Sequence, residues 1–200
     1  MNKEIVFATG NKDKMSEIRQ ILGDLGWTIR SMKEAGIITD IVEDGKTFEE
    51  NALIKARAVA EKIDAIVLAD DSGLEIDYLN KEPGIYSARY AGETTSYGIK
   101  NQMLLERLNG VKKEERTARF VCAIAAVIPG HGEYVVRGTM EGYIGFHPAG
   151  VNGFGYDPIF YLPDLDLSSA EIPPSEKNAR SHRGEALRSM RDYLQQFIEE

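Results

Sequence analysis

Two adjacent aspartates, Asp70 and Asp71, follow an apolar run in the stretch LADDSGLEID. Neighbouring carboxylates at the end of a buried run are unfavourable, because desolvation and mutual repulsion both oppose their ionisation. The pair therefore predicts solvent or positive charge beside it, as in a catalytic or cation-binding site. The alternative is an Asp-Ser-Gly turn that simply ends a strand. Successive strand residues point to opposite faces, so the spacing leaves Asp70 and Asp71 as equal candidates.

A second candidate site is the stretch TGNKDK, residues 9–14, which lies between an apolar segment and a helical pattern. The N-terminus of a helix presents unpaired N–H groups and a positive dipole end, and Lys12 and Lys14 add charge. This arrangement favours a phosphate site, although it lacks the GxxxxGK[ST] pattern of a Walker A loop. The alternative is a helix capped by Thr9 or Asn11, with solvated lysines.

Two stretches in the second half of the chain carry further candidates. GVNGFGYDPIF, residues 150–160, combines glycines with Phe154 and Tyr156, which permits close backbone approach and offers flat surfaces for stacking. SEKNARSHRGEAL brings Lys177, His182 and Arg183 to the start of a C-terminal helix, where an arginine can bind a phosphate or a ring carbonyl. Taken alone, the first is more typical of a tight turn and the second of a solvated basic turn.

The elements that must position these residues alternate along the chain. A capping box, Thr47-Phe-Glu-Glu50, precedes one strong helical pattern. Strands that alternate with helices and then form a hairpin predict an α/β fold with a mixed sheet, in a single domain over residues 1–200. Apolar spacing predicts helices over about 15–25, 48–63, 96–108 and 187–197, and strands over about 5–8, 27–30, 65–69, 120–128 and 134–144.

Composition limits the classes of function. The net charge of −8 argues against nucleic acid or an anionic membrane surface as the main partner. Cys122 is the only cysteine, which excludes an internal disulfide. The stretch MNKEIVFATGNK has too few apolar residues for a signal peptide or a membrane span, so we expect a cytoplasmic protein.

Taken together, these stretches resemble the inosine triphosphate pyrophosphatase family, the dITP/XTP pyrophosphatases. The motifs that carry the resemblance are TGNKDK, EDGKTFEENALIKARA, ADDSGLEID, PGIYSARYAG, GFGYDPIF and EKNARSHRGEAL, in this order over roughly residues 4–190. The resemblance implies hydrolysis of deaminated purine nucleoside triphosphates (ITP, dITP, XTP) to the monophosphate and pyrophosphate. It also implies Mg²⁺, a homodimer, and an elongated mixed β-sheet flanked by helices, with two lobes and an active-site cleft between them.

The resemblance also implies roles for individual residues. Asp71, the second member of the acidic pair, matches the general base and metal ligand. Glu43 resembles the other metal-binding acid, with Asp44 as a rival. The matching substrate contacts are a phosphate loop (residues 9–14: Thr9, Gly10, Asn11, Lys12, Asp13, Lys14), Ser72, a base loop (residues 154–157: Phe154, Gly155, Tyr156, Asp157) and the base loop's partners Lys177, His182 and Arg183.

The chemistry of the reaction accounts for these residue types. Mg²⁺ takes one or two carboxylates and leaves other positions to phosphate and water. Lys14, the helix N-terminus and Lys177 would neutralise charge on the departing pyrophosphate, and Asp71 would accept a proton from the water that attacks the α-phosphorus. Hypoxanthine and xanthine carry a carbonyl where adenine carries an amino group, so donors from the base loop, His182 or Arg183 would reject ATP. Rejection of GTP requires a further device.

Two alternatives remain at this point. The chain could hydrolyse other modified nucleotides, such as methylated pyrimidine triphosphates. It could also be a non-catalytic nucleotide-binding or RNA-binding module, although a pure binder of polyphosphate has no need for carboxylates that face phosphorus.

Overall fold

The computed structural model describes residues 4–197, which form seven strands and five α-helices. The strands are β1 (Glu4–Phe7), β2 (Thr28–Ser31), β3 (Ile66–Ile76), β4 (Thr117–Ile128), β5 (Gly132–Ile144), β6 (Phe160–Leu162) and β7 (Leu167–Ser168). The helices are α1 (Lys12–Leu22), α2 (Phe48–Ala60), α3 (Tyr97–Arg107), α4 (Pro174–Arg180) and α5 (His182–Gln195).

The strands form one mixed sheet in the order β2-β1-β3-β4-β5-β6-β7. β1 pairs in parallel with β2 and β3, whereas β6 pairs antiparallel with β5 and β7. The crossovers between the parallel strands contain α1 and α2, and β4 and β5 are neighbours, as the predicted hairpin requires. The predicted α/β fold with a mixed sheet is confirmed.

The chain divides into two compact units, each with its own apolar core. Of the described residues, the first unit contains 4–71, 122–138 and 182–197, and its core packs α1 and α5 against β1 and the start of β3. The second unit contains residues 72–121 and 139–181, and its core includes Leu74, Leu104, Phe120 and Phe160. The single domain over residues 1–200 stays a prediction.

The helix starts follow the local capping chemistry of the sequence. The Thr47 hydroxyl accepts the N–H of Glu50 at 3.1 Å and so caps α2, as predicted. The reciprocal half of the capping box is different, because the Glu50 carboxylate accepts the N–H of Lys46 at 2.6 Å. This bond ties the preceding turn to α2 and fixes where the residues before the helix lie.

The strand that carries the two aspartates does not end at them. β3 runs through Asp70 and Asp71 to Ile76, so the predicted strand end at this point is wrong. Leu74 and Ile76 are fully buried in the core of the second unit, and this burial stabilises the continued strand. The aspartates therefore lie within a strand, and alternation sends their side chains to opposite faces.

The single cysteine, Cys122, is buried on β4 and is a packed thiol. Among residues 4–197, no helix combines the length and the apolar composition needed to cross a membrane.

Candidate active site

The phosphate loop is held in shape by its own side chains. The Asn11 Oδ1 atom accepts the N–H groups of Asp13 at 2.9 Å and Lys14 at 3.1 Å, and thus caps α1. The Thr9 hydroxyl accepts the N–H of Asn11 at 3.2 Å. These bonds leave the amide N–H₂ of Asn11 as a donor, because a carboxamide carries both functions. The loop presents this donor and the exposed Gly10 on a rigid turn.

A pocket of about 280 Å³ adjoins this loop within the first unit. That volume lies just below the roughly 300 to 1,000 Å³ typical of sites that enclose a whole small-molecule ligand. The pocket is lined by the phosphate loop and by two lysines, Lys14 and Lys55. Its lining residues are Ala8, Thr9, Gly10, Asn11, Lys14, Met32, Thr39, Ile41, Glu43, Lys55 and Asp70.

Asp70 lies at the centre of a buried ion-pair network. Its carboxylate is 2.8 Å from Lys14 Nζ and 3.5 Å from an Arg183 Nη atom, and Arg183 also pairs with Glu17 of α1. Burial acts to raise the pKa of Asp70, but Lys14 and Arg183 outweigh it and hold that pKa well below its usual value. Asp70 is therefore an ionised residue that orients Lys14, as a structural partner of the phosphate loop.

Asp71 points to different partners. Its carboxylate accepts a hydrogen bond from the Asn51 amide at 3.1 Å and lies 3.5 Å from Lys55 Nζ. Burial raises the pKa of the Asp71 carboxyl, and Lys55 and Asn51 oppose the rise without cancelling it. A raised pKa makes the ionised carboxylate a better proton acceptor, as a general base requires. The two neighbouring aspartates thus differ in environment and in chemistry.

Lys55 brings the two predicted metal-binding acids together. Its ammonium lies 2.8 Å from Glu43 and 3.5 Å from Asp71. Burial acts to lower the pKa of Lys55, but the carboxylates prevail and raise it. Asp44, the rival of Glu43, is exposed. The arrangement favours Glu43, because its carboxylate shares one cation with Asp71.

The donors at this place suit a divalent cation with few protein ligands. Among residues 4–197, no cluster of three or more His, Cys, Asp or Glu side chains could hold a metal ion. Two carboxylates, Glu43 and Asp71, are nevertheless joined by a single positive charge. A cation that keeps most of its positions for phosphate and water requires no more than two carboxylates. The donor set fits such an ion.

The base loop is closed by a buried ion pair in the second unit. The Asp157 carboxylate accepts the N–H of Phe154 at 2.8 Å and the Lys177 ammonium at 2.7 Å. Gly153 has a φ of +71°, and a Cβ there would lie 2.1 Å from Asp157 Oδ2. The loop therefore requires glycine at this position. Asp157 and Lys177 are both about 95% buried or more, and they shape the loop from within.

The two aromatic residues of the base loop have different environments. Tyr156 is buried, and its hydroxyl donates to the carbonyl of Ser87 at 2.7 Å. Phe154 is half-buried, with the Lys177 ammonium 4.9 Å from its ring centre. The geometry thus leaves Phe154 as the better surface for stacking, and Tyr156 as an anchor of the loop.

The three basic residues near α5 divide between the two units. Lys177 lies on α4 in the second unit, whereas His182 and Arg183 begin α5 in the first unit. Gly138 of β5 allows the close approach of α5, because a Cβ there would lie 2.3 Å from the His182 carbonyl oxygen. Ser72, the remaining candidate, is half-buried on β3 next to Asp71.

The sequence reasoning missed two residues of this site, Asn51 and Lys55. Both lie on α2, one turn apart, and both contact Asp71. Residues four apart share a helix face, so a polar pair beside the apolar stripe of α2 was a usable signal. The pair lies inside EDGKTFEENALIKARA, but the apolar stripe alone was used to predict the helix.

Comparisons with known proteins match almost the whole length of the chain. The model of the Ham1 family matches residues 5–193. The chain is 47% identical over 194 residues to a dITP/XTP pyrophosphatase of Bacillus licheniformis, covering 97% of this chain and 99% of that protein. It is 48% identical over 193 residues to a dITP/XTP pyrophosphatase of Bacillus subtilis, covering 96% and 98%.

Solved structures show the same fold. The Staphylococcus aureus Ham1 protein matches with a TM-score of 0.87 and 42% identity, over 96% of this chain and 98% of that one. A HAM1 protein from Coxiella burnetii matches with a TM-score of 0.88 and 42% identity, again over 96% and 98%.

Proposed function

This chain belongs to the Ham1 family, and we propose that it hydrolyses the deaminated purine nucleoside triphosphates ITP, dITP and XTP. The products are the nucleoside monophosphate and pyrophosphate, so the enzyme removes these nucleotides from the pool. One observation supports this function above the others. Lys55 joins Glu43 and Asp71, and it also lines the pocket beside the phosphate loop.

Glu43 and Asp71 are the proposed ligands of a divalent cation, and Mg²⁺ is the ion we expect. When bound, such an ion neutralises phosphate oxygens and makes a water molecule more acidic. The support for this assignment is the donor chemistry, since carboxylate oxygens are the protein ligands that Mg²⁺ prefers. Asp44 is exposed and makes a weaker candidate.

The residues of the first unit account for the chemical step. The Asp71 carboxylate orients the attacking water and accepts its proton as the water approaches the α-phosphorus. The amide of Asn11 and the ammonium of Lys14 bind the departing pyrophosphate and neutralise its developing charge. Asp70 holds Lys14 at 2.8 Å, so this ammonium is already in place before substrate binds.

The base loop accounts for the choice of purine. We assign Phe154 to stacking on the base, and backbone N–H groups of the loop to the 6-carbonyl. ATP would leave those donors unpaired, because adenine carries a donor at position 6. Lys177 is paired with Asp157, so we assign it to the base loop in preference to the pyrophosphate.

A panel of nucleotides tests the proposed function. We expect pyrophosphate release from ITP, dITP and XTP at least about a hundredfold faster than from ATP, since a buried unpaired donor costs binding energy on this scale. GTP carries the same 6-carbonyl as ITP, so we expect its rejection to depend on a separate exclusion of the 2-amino group. Chelation of divalent metal should stop the reaction. Turnover of ATP and GTP at rates similar to those on ITP, dITP and XTP would contradict the assignment. Preference for methylated pyrimidine triphosphates would favour the alternative enzyme. Absence of turnover on every nucleotide would favour a binding module.

The Lys55→Met variant tests the grouping of the two acids. Without the ammonium, Glu43 and Asp71 repel each other, so we expect a lower unfolding midpoint in metal-free buffer. Millimolar Mg²⁺ should then raise the midpoint of Lys55→Met more than that of the wild type, because the ion replaces the missing charge. Thermal unfolding with and without Mg²⁺ measures both effects. An equal rise of the unfolding midpoint with Mg²⁺ in both proteins would contradict the grouping. Lys62 is an exposed lysine just beyond α2, and Lys62→Met is the control.

The proposal also covers the location, the oligomeric state and the partners of the enzyme. We propose a cytoplasmic homodimer whose partner molecule is a small nucleotide. The net charge of −8 disfavours binding to nucleic acid and to anionic membrane surfaces.

A further inference from the structure

We propose that one face of α3, formed by Tyr97, Lys100 and Asn101, positions the base loop and so determines how tightly the enzyme binds its purine. The proposal rests on the function proposed above, in which the base loop contacts the base. It adds three residues to which no role has been assigned. All of the contacts that carry it lie within the second unit.

Asn101 makes the direct connection. Its amide Nδ2 donates to the carbonyl oxygen of Gly155, in the middle of the base loop, at 3.2 Å. Asn101 is 6% exposed, so water competes little for this bond. Gly155 has a φ of +69°, and its carbonyl direction is therefore set by a backbone conformation that few other residues adopt. The hydrogen bond fixes that conformation.

Tyr97 supports the neighbouring loop residue, Tyr156, from the side. Its ring lies at 5.2 Å and 89° to the ring of Tyr156, an edge-to-face contact. Tyr97 thus limits the movement of Tyr156 within the base loop.

Lys100 makes a second, indirect connection. Its ammonium is buried and donates to the carbonyl of Ala88 at 2.6 Å. The neighbouring carbonyl, that of Ser87, accepts the Tyr156 hydroxyl at 2.7 Å. α3 therefore holds the base loop directly through Asn101 and indirectly through the segment around Ser87. This role also explains the motif PGIYSARYAG, residues 83–92, to which the catalytic chemistry gives no part.

The polar character of this face is unfavourable for stability. Asn101 Oδ1 is buried and, within residues 4–197, has no hydrogen-bond partner. Burial also lowers the pKa of Lys100, because it disfavours the charged ammonium. Apolar side chains at these positions would avoid both costs. Residues that reduce stability at a helix face are better explained by the orientation they give the base loop.

The Asn101→Leu variant tests the proposal, because leucine keeps the volume and removes the donor. We expect KM for ITP to rise about five- to tenfold, which is the size of effect that one lost hydrogen bond produces. We expect kcat to change less than about twofold. The inhibition constant of IMP should rise in parallel, since IMP carries the base. The inhibition constant of pyrophosphate should stay unchanged, since pyrophosphate does not reach the base loop. Gln102→Leu, an exposed neighbour on α3, is the control and should match the wild type.

A second variant guards against a simple folding defect. Tyr97→Leu removes the ring that packs on Tyr156 but changes a residue that is 37% exposed, so the fold should persist. It should show the same separation, with weaker IMP binding and unchanged pyrophosphate binding. A merely structural role would lower the unfolding midpoint and weaken IMP and pyrophosphate alike.

The outcomes separate this proposal from the proposed function. Wild-type turnover of ITP with unchanged KM and IMP binding in both variants would overturn the role of α3 and leave the function intact. Parallel losses in kcat, IMP binding and pyrophosphate binding would also overturn it. Absence of wild-type turnover on every purine triphosphate would overturn the function, and the role of α3 with it.

Discussion

The Asp71→Asn variant is expected to lose about 10²- to 10⁴-fold in kcat on ITP, the range that general-base catalysis supplies. Asparagine keeps the shape of the side chain but cannot accept a proton from the attacking water. Its unfolding midpoint should stay within a few degrees of the wild type, because burial already disfavours the charge of Asp71. Steady-state pyrophosphate release and thermal unfolding measure the two quantities.

Asp64→Asn is the matched control for this prediction. Asp64 is exposed just before β3, and its substitution changes the net charge by the same amount. It should leave both kcat and the unfolding midpoint unchanged. Full activity in Asp71→Asn would contradict the assigned base, and a large loss of stability would show that the residue acts through the fold.

The Asp70→Asn variant should instead be destabilised, by about 3 kcal/mol, although the chemical change is the same. The substitution leaves the buried Arg183 and the half-buried Lys14 beside a neutral amide, and removal of one member of a buried ion pair typically costs about 3 to 5 kcal/mol. Because the folded-state pKa of Asp70 is depressed, this contribution is complete above the unfolded pKa of about 4 and is lost as pH falls through the lower folded value. Urea unfolding at neutral pH measures it.

Asp13→Asn is the control for the effect on stability. Asp13 is an exposed acid in the first turn of α1, next to Lys14, and its loss should cost about 0.5 kcal/mol or less. An Asp70→Asn protein as stable as the wild type would show that Lys14 and Arg183 do not depend on this carboxylate. We also expect Asp70→Asn to raise KM for ITP, because Lys14 loses the carboxylate that orients it.

Asp70 and Asp71 are neighbours in sequence, but their carboxylates have different electrostatic environments. Asp70 has two cations close to its carboxylate and a lowered pKa, so its charge stabilises the fold. Asp71 has an amide and a more distant ammonium and a raised pKa, so its charge is available for chemistry. β3 separates the two roles simply by alternation of side chains.

Local features of this chain were predictable because short-range chemistry decides them. Thr47 caps α2, Asn11 caps α1, and the helix predicted over 96–108 is observed as α3. Apolar spacing predicted β1 to β5 and the helices α1, α2, α3 and α5, but it did not predict α4, β6 or β7. The alternation of strands and helices predicted the mixed sheet. In each of these cases the deciding contacts join residues within a few positions of one another.

The partners of the site residues were not predictable from local patterns. β3 is apolar on both faces before Asp70, so its period could not tell which aspartate faces which neighbour. The pairing of Asp157 with Lys177 joins residues 20 positions apart, and that of Arg183 with Glu17 joins residues 166 apart. Such contacts depend on how the sheet assembles. Only the family resemblance selected Asp71 at the sequence level.

Hydrolysis of ITP in ¹⁸O-labelled water tests the central claim most directly. Attack of water on the α-phosphorus places one ¹⁸O atom in IMP and none in pyrophosphate, because the bond between the α-phosphorus and the bridging oxygen breaks. Mass spectrometry of both products after a single turnover gives the answer. We predict label in IMP alone. Label in pyrophosphate, or release of orthophosphate, would contradict the proposed reaction.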